Sequence, residues 1–257
     1  MIFVPPLFVV LWATGFVTAR LVAPHIEPMT FLFLRFALAA SALTLLALAS
    51  RAPWPRTPRE WGVAAAIGLL LQGIYLGGVF WAVKHGLPAA VCSLVVSTQP
   101  LLISLVAGHL LGERITLKRR IGVGVGILGV ALVLAPKLAG AESYPIPALI
   151  ASLGSLASIS IATIWQKRTG NSLDLRSGTA IQFGASALAA LPFAYATETM
   201  AIEQTPELWV GLLWSAFGLS IGAIFLLLMM IRRGAIVAVS SWLFLVPPAA
   251  AIMNFLA

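Results

Sequence analysis

The side chains best placed for chemistry are polar residues embedded in long apolar stretches. Between Lys84 and Leu111, the residues Ser93, Ser97 and Pro100 fall at helical spacing on one stripe. A proline inside a helix cannot donate to the carbonyl four residues before it. Hydroxyls and a released carbonyl at one depth can hydrogen-bond a polar solute, so this pattern indicates solute binding rather than bond-making chemistry.

A similar pattern recurs 148 positions later, near the end of the chain. Ser93 then corresponds to Ser241 and Pro100 to Pro248, and Pro247 stands beside the second proline. The recurrence indicates a duplicated segment. Hydrogen bonding between helices and ordinary kinking are the alternative explanation for each of these residues.

We predict a substrate site made from polar and aromatic side chains inside the apolar stretches. Aromatic rings could wall a cavity for apolar groups, and lipid contact or packing is the alternative for each ring. The predicted substrate-binding residues are Trp12, Gln72, Tyr75, Ser93, Ser97, Thr98, Gln99, Trp165, Ser241 and Trp242. The predicted gating or kinking residues are Pro100, Pro247 and Pro248.

Arg35 is a charged residue about six positions into the second apolar stretch. A charge at the middle of a bilayer costs on the order of 3 kcal/mol, and less near an interface. Two interpretations stay open at this point: the side chain extends to the outer membrane surface, or it attracts anions or takes part in gating.

Catalytic, metal and cofactor chemistry find little support. All eight carboxylates lie in loops or at the edges of apolar stretches, and the three histidines are scattered. Cys92 is the only cysteine, which excludes an intramolecular disulfide. We therefore expect no enzyme activity, no metal and no cofactor. Without an intramembrane carboxylate that could load and unload a proton, we expect transport to be uncoupled.

Glycines indicate helix packing. The motif Gly124-x-Gly126-x-x-Gly129 matches a dinucleotide fingerprint, but it lies in an apolar stretch and follows no predicted strand. Gly73 and Gly77 form a small-xxx-small face, which favours close approach of two helix backbones.

Composition identifies the elements that must position these residues. The chain is 60% apolar and only 9% charged, and its mean hydropathy is +1.02, which excludes a water-soluble globule. The net charge of +8 lies in short loops rather than on a basic stripe, so we expect lipid and not nucleic acid as the surroundings. Predicted membrane-spanning helices cover residues 2–21, 30–49, 61–83, 88–111, 120–136, 145–165, 177–196, 208–231 and 235–256.

Basic residues alternate between the connections. Twelve lie in the connections after even-numbered spans and three in the others, which predicts a cytoplasmic N-terminus. The fourth span recurs as the ninth, and an offset of five spans reverses orientation. We therefore predict two inverted five-helix repeats, residues 1–136 and 145–257, in an all-α integral membrane protein with nine visible helices of an expected ten. The absence of a tenth helix is taken as truncation, with a true nine-helix protein as the alternative.

The chain resembles the EamA-type members of the drug/metabolite transporter superfamily. The matching residues are Glu27-Pro28, Arg35-Phe36, Leu111-Gly112-Glu113 and Ile121-Gly122. The resemblance implies inverted repeats around a cavity walled by spans one, three, four, six, eight and nine.

The resemblance also implies export of small metabolites across a bacterial inner membrane. The sequence HGLPAAV followed by TQPLL is most similar to bacterial aromatic-amino-acid exporters. A monomer or a homodimer is expected. A multidrug or nucleotide-sugar carrier is the alternative within transport, and a membrane-embedded lipid-modifying enzyme is the alternative of another class.

Overall fold

The fold is a bundle of apolar helices. The computed structural model describes residues 4–103, 121, 124–125, 128, 132, 144–169, 173–232, 245–246, 248–249 and 252–253. In this part of the chain, the helices are α1 (Val4–Val22), α2 (Pro28–Ala49), α3 (Pro58–Lys84), α4 (Ala89–Val96), α5 (Ile146–Thr169), α6 (Leu175–Thr197) and α7 (206–232). The β-structure seen within these ranges is one isolated bridge between Ile26 and Ile202.

The predicted all-α membrane class is confirmed. Five of the described helices, α2, α3, α5, α6 and α7, are long and apolar enough to cross a membrane. Helix α1 and the segment Ala89–Ile103 are shorter apolar helices. Most of the fifth and ninth predicted spans lies outside the described residues, so the number of nine helices and the repeat architecture stay predictions.

The helix starts follow from capping residues in the connecting loops. The Thr57 hydroxyl accepts from the Glu60 N–H at 3.3 Å. The Glu60 carboxylate in turn accepts from the Thr57 N–H. Asp174 caps α6 by accepting from the Arg176 N–H at 2.8 Å. The Arg176 side chain also donates to this carboxylate, and these hydrogen bonds hold the pKa of Asp174 below its ordinary value.

Helix α3 packs closely against α5 and α6 through glycines. A Cβ on Gly68 would overlap the backbone of Gln182 in α6, and a Cβ on Gly78 would overlap Ser155 in α5. The small-xxx-small pattern had predicted close approach of helix backbones at Gly73 and Gly77 instead. At Gly77 a Cβ would only touch the Met29 methyl at 3.4 Å. The crossings thus fall one helical turn or more from Gly73, because tertiary packing decides which small residue meets a neighbour.

Helices α2 and α6 form the most extensive helix pair of the described bundle. Their ends are joined by a reciprocal pair of carboxylates, which we call the Glu27–Glu198 clamp. Glu198 accepts from the N–H groups of Met29 and Thr30 at 2.7 and 2.8 Å, at the start of α2. Glu27 accepts from the Thr199 N–H and hydroxyl at 2.7 and 2.8 Å. A carboxylate at a helix N-terminus complements the helix dipole, so the clamp stabilises the contact between the two halves of the chain.

Two helices contain wide, π-helical turns at mid-length. In α3 these turns cover Leu69–Ile74, and in α7 they cover Trp214–Ala223. Such turns are rare and frequently occur at functional sites. Both segments contribute to the cavity described next.

Candidate solute-binding cavity

A cavity opens where α1, α2, α3 and α7 meet, and we call it the Arg35 cavity. The space between its lining atoms amounts to about 460 Å³ when the part that is open to the surroundings is included. The described residues that line it are Trp12, Gly15, Phe16, Arg35, Gln72, Tyr75, Leu76, Val79, Phe80, Leu219, Ala223 and Ile224. A mostly apolar lining with a few polar groups is typical of small-molecule sites.

One wall of the Arg35 cavity is aromatic. The rings of Trp12 and Tyr75 are stacked, with centroids 6.3 Å apart and planes 12° apart. Phe8 packs against Trp12 at 5.0 Å from behind, and Phe31 stacks on Phe80 at 5.2 Å. Phe8 and Phe31 are not among the described lining residues, so they support the lining rings Trp12 and Phe80 through ring contacts.

Arg35 adds a charged group to this mostly apolar lining. Its side chain is only 3% exposed, and its Nε donates to the Ser220 Oγ at 2.9 Å. The interpretation that Arg35 extends to the membrane surface is therefore wrong. No described acidic residue forms an ion pair with it. This arginine is a buried positive charge that lines a cavity.

Gln72 adds a second donor to the Arg35 cavity. Its side chain is 1% exposed, and its Nε2 has no hydrogen-bond partner among the described residues. Leaving a buried amide donor without a partner costs roughly 1–3 kcal/mol, so a native structure seldom keeps one without a reason. The wide turns of Leu69–Ile74 contain this residue.

The structure thus brings three predicted site residues together in one cavity, namely Trp12, Gln72 and Tyr75. The hydroxyls predicted on α4 lie elsewhere. Ser93 donates to the Ala90 carbonyl, Ser97 to the Ser93 carbonyl and Thr98 to the Val95 carbonyl, at 2.6–2.7 Å. Their hydroxyl donors are used within α4 and the turn that follows it.

The segment around Pro100 breaks the helix. Helix α4 ends at Val96, and helical backbone resumes at Gln99 after a turn at Ser97 and Thr98. The physical cause is the missing N–H of Pro100, which leaves the Val96 carbonyl without its helical donor. Whether this break gates transport stays a prediction.

The other predicted residues that the structure describes are not among the lining residues of the Arg35 cavity. The Gln99 Nε2 donates to the Thr163 hydroxyl at 2.9 Å and so joins the end of this segment to α5. Trp165 is half-buried near the end of α5, and Pro248 is exposed. Ser241, Trp242 and Pro247 lie outside the described residues.

Sequence reasoning missed Ser220, which positions Arg35. A signal was available, because the offset of 148 that relates Ser93 to Ser241 also relates Gln72 to Ser220. Phe16, Phe80 and Leu219 were also missed, since apolar residues in an apolar helix carry no pattern that separates a cavity wall from a packing face.

The described residues form a cavity whose lining includes a buried guanidinium and a buried amide. Those residues hold no group of three or more His, Cys, Asp or Glu side chains that could hold a metal ion. Helices long and apolar enough to cross a membrane, with a cavity among them, are features that membrane transporters share. Residues 2–135 match the profile of the EamA-like transporter family, and the chain belongs to that family.

Three known relatives of this chain are also named as transporters or efflux pumps. The chain is 26% identical over 241 residues to the uncharacterized transporter YvbV of Bacillus subtilis. The aligned region covers 93% of this chain and 77% of that protein. It is 27% identical over 164 residues to a probable amino-acid metabolite efflux pump of Salmonella typhimurium, covering 63% of this chain and 50% of the pump. A similarly named Escherichia coli protein is 26% identical over 160 residues, with 62% and 48% covered.

A solved crystal structure shares the fold. It aligns with a TM-score of 0.69 over 97% of this chain and 85% of its own, at 21% identity. The resemblance predicted from the sequence motifs is confirmed at the level of the family. The family makes the protein a membrane transporter of a small molecule, which points away from the lipid-modifying enzyme.

Proposed function

We propose that this transporter exports amino acids or closely related small metabolites, and that the Arg35 cavity is its substrate site. The observation that carries the proposal is one cavity inside an apolar bundle that is lined by a buried arginine, an unpartnered amide and a stacked aromatic pair. Two relatives named as probable amino-acid metabolite efflux pumps support the same substrate class.

Alternating access between two inverted repeats is the proposed mechanism. The proposed repeats are residues 1–136 and 145–257. The wide turns in α3 and α7 support this proposal, because both helices carry them where they line the cavity. Gln72 and Ser220, which correspond at the offset of 148, lie within these two segments. Matching irregularities at the site are expected of inverted repeats that bind substrate between them.

The proposed setting is a bacterial inner membrane with the N-terminus in the cytoplasm, based on the distribution of basic residues. Transport is proposed to be uncoupled. Each carboxylate of the sequence lies in a loop or near the end of a predicted span, where it is not placed to carry a proton through the interior.

Exchange in proteoliposomes tests this function. Purified protein is reconstituted in vesicles loaded with one unlabelled amino acid, and uptake of the labelled amino acid is followed with no ion gradient. We expect saturable exchange for a subset that includes aromatic amino acids. Failure of every amino acid to exchange would contradict the proposal, and exchange of a cationic drug or a nucleotide sugar in the same assay would favour the multidrug or nucleotide-sugar alternative.

A further inference from the structure

The charge on Arg35 lacks a permanent partner among the described residues. Its Nε is held by the Ser220 hydroxyl at 2.9 Å, and no described residue accepts from its two terminal Nη groups. A buried guanidinium is normally paired with a carboxylate, since burying an unpaired charge is costly. Ser220 therefore orients the side chain and leaves the end of its planar fork available in a cavity.

Gln72 reaches the same cavity from a different helix. Arg35 lies in α2 and Gln72 in α3, and both side chains are more than nine-tenths buried. The Gln72 Nε2 has no partner among the described residues. The terminal Nη groups of Arg35 and the Nε2 of Gln72 are therefore donors on two helices to which an occupant of the cavity can supply acceptors.

We infer that Arg35 and Gln72 form a carboxylate subsite, and that the cavity takes carboxylates with an apolar or aromatic body. A guanidinium presents parallel N–H donors that match the two oxygens of a carboxylate. This inference rests on the proposed function and makes its substrate class more specific.

The rest of the lining decides what the body of the ligand can be. Trp12, Phe16, Tyr75 and Phe80 supply aromatic surface, and Leu219 and Ile224 supply aliphatic surface. No described lining residue is acidic, so an ammonium group has no ion-pair partner there. The α-amino group of an amino acid is therefore tolerated rather than required, and a simple aryl carboxylate binds as well.

Charge also separates this ligand class from cationic drugs. The Arg35 guanidinium lies in a region of low dielectric, where it repels a cation more strongly than it would in water. Cationic ligands of the same shape should bind poorly.

The test is ligand-dependent thermal stability of the full chain in a nonionic detergent without added lipid. The probes are L-phenylalanine, 3-phenylpropionate, which lacks the amine, phenethylamine, which lacks the carboxylate, and inorganic phosphate. We expect both carboxylates to raise the unfolding temperature and the other two to leave it unchanged. Stabilisation by phenethylamine equal to that by 3-phenylpropionate, or by phosphate alone, would overturn the inference.

Arg35→Gln is the principal variant, and Arg59→Gln is its matched control. Arg59 is exposed in the first turn of α3, so its substitution removes the same charge at a position away from the cavity. Hydrogen bonds to charged groups contribute about 1.5–3 kcal/mol, which corresponds to a loss of about 10- to 150-fold in affinity for 3-phenylpropionate. The control should bind like the wild type.

Stability without ligand separates binding from a structural role. Because Arg35 has no acidic partner among the described residues, Arg35→Gln should unfold at the wild-type temperature or above it. Gln72→Leu removes the second donor with little change in volume, and should weaken 3-phenylpropionate binding without lowering the unfolding temperature. Wild-type affinity in both variants would overturn the inference. It would also be overturned if the variants unfolded at a temperature so much lower without ligand that the loss of folded protein explained the lost binding.

The inference and the proposed function fail separately. Carboxylate binding at Arg35 without any exchange in proteoliposomes contradicts the exporter and leaves the subsite. Amino-acid exchange that survives Arg35→Gln, with no carboxylate-selective stabilisation, contradicts the subsite and leaves the exporter.

Discussion

At the scale of the residue, the decisive feature is the contrast between the two walls of the Arg35 cavity. Trp12 and Tyr75 form a stacked pair held from behind by Phe8, and Arg35 is held from the side by Ser220. Trp12 and Arg35 are thus each held by a neighbour that is not a cation or a ligand but another side chain of the bundle. Such support keeps a site in its binding geometry before the ligand arrives.

We predict that Trp12→Leu weakens substrate binding without preventing folding. Leucine keeps an apolar contact but removes the stacked ring, which contributes about 0.5–1.5 kcal/mol and corresponds to a rise of about 2- to 10-fold in the half-saturating concentration. The measurement is the concentration dependence of exchange in proteoliposomes.

Trp209→Leu is the control for that variant, since Trp209 lies exposed at the start of α7 and its indole N–H donates to Gln204. Equal effects of the two substitutions would remove Trp12 from the substrate site.

At the scale of the element, the close crossing of α3 and α6 depends on a single missing side chain. Gly68 lies against the backbone of Gln182, which cannot rotate away as a flexible side chain could. This contact sets the position of α3, and α3 carries both Gln72 and Tyr75.

We predict that Gly68→Ala destabilises the protein by about 1–3 kcal/mol, the usual cost of forcing atoms into a packed interior. Thermal unfolding in detergent measures the effect. Gly62→Ala in the same helix is the matched control, because a Cβ at Gly62 meets nothing within 4 Å and alanine favours a helix. A variant at Gly68 as stable as the control would show that the two helices can separate without loss.

At the scale of the whole molecule, the two halves of the chain meet at the Glu27–Glu198 clamp and at the bridge between Ile26 and Ile202. Alternating access by rocking of the halves requires contacts of this kind at one end of the bundle to separate during the cycle. The clamp consists of hydrogen bonds near the surface, which can exchange with water at small cost.

We predict that a disulfide in the double variant Ile26→Cys/Ile202→Cys arrests exchange. Partners in an antiparallel bridge lie about 4.5–5.5 Å apart between Cα atoms, within the range that a disulfide spans. The native Cys92 is buried and does not compete. Exchange is measured before oxidation, after oxidation and after reduction, with each single variant as control. Exchange at an unchanged rate in the oxidised protein would show that these ends stay together throughout transport.

The sequence by itself determined the membrane class and the family, and it predicted site residues of which Trp12, Gln72 and Tyr75 lie in one cavity. Apolar composition leaves a chain only helices or a closed barrel in a bilayer, and the length of each apolar stretch favoured helices, so the class followed without any knowledge of packing. Gln72 and Tyr75 were identified because polar groups inside a span are costly and need a reason.

Only the tertiary structure decided how these residues combine. Arg35 had two open interpretations, and its burial beside Ser220 was settled by contacts 185 positions apart in the chain. Gln99 was predicted in the site but pairs with Thr163, and the close glycine contacts fall at Gly68 and Gly78 rather than at Gly73 and Gly77. The physical reason is that a helix has many small and polar residues, and the neighbouring helices determine which of them face a cavity and which face a partner.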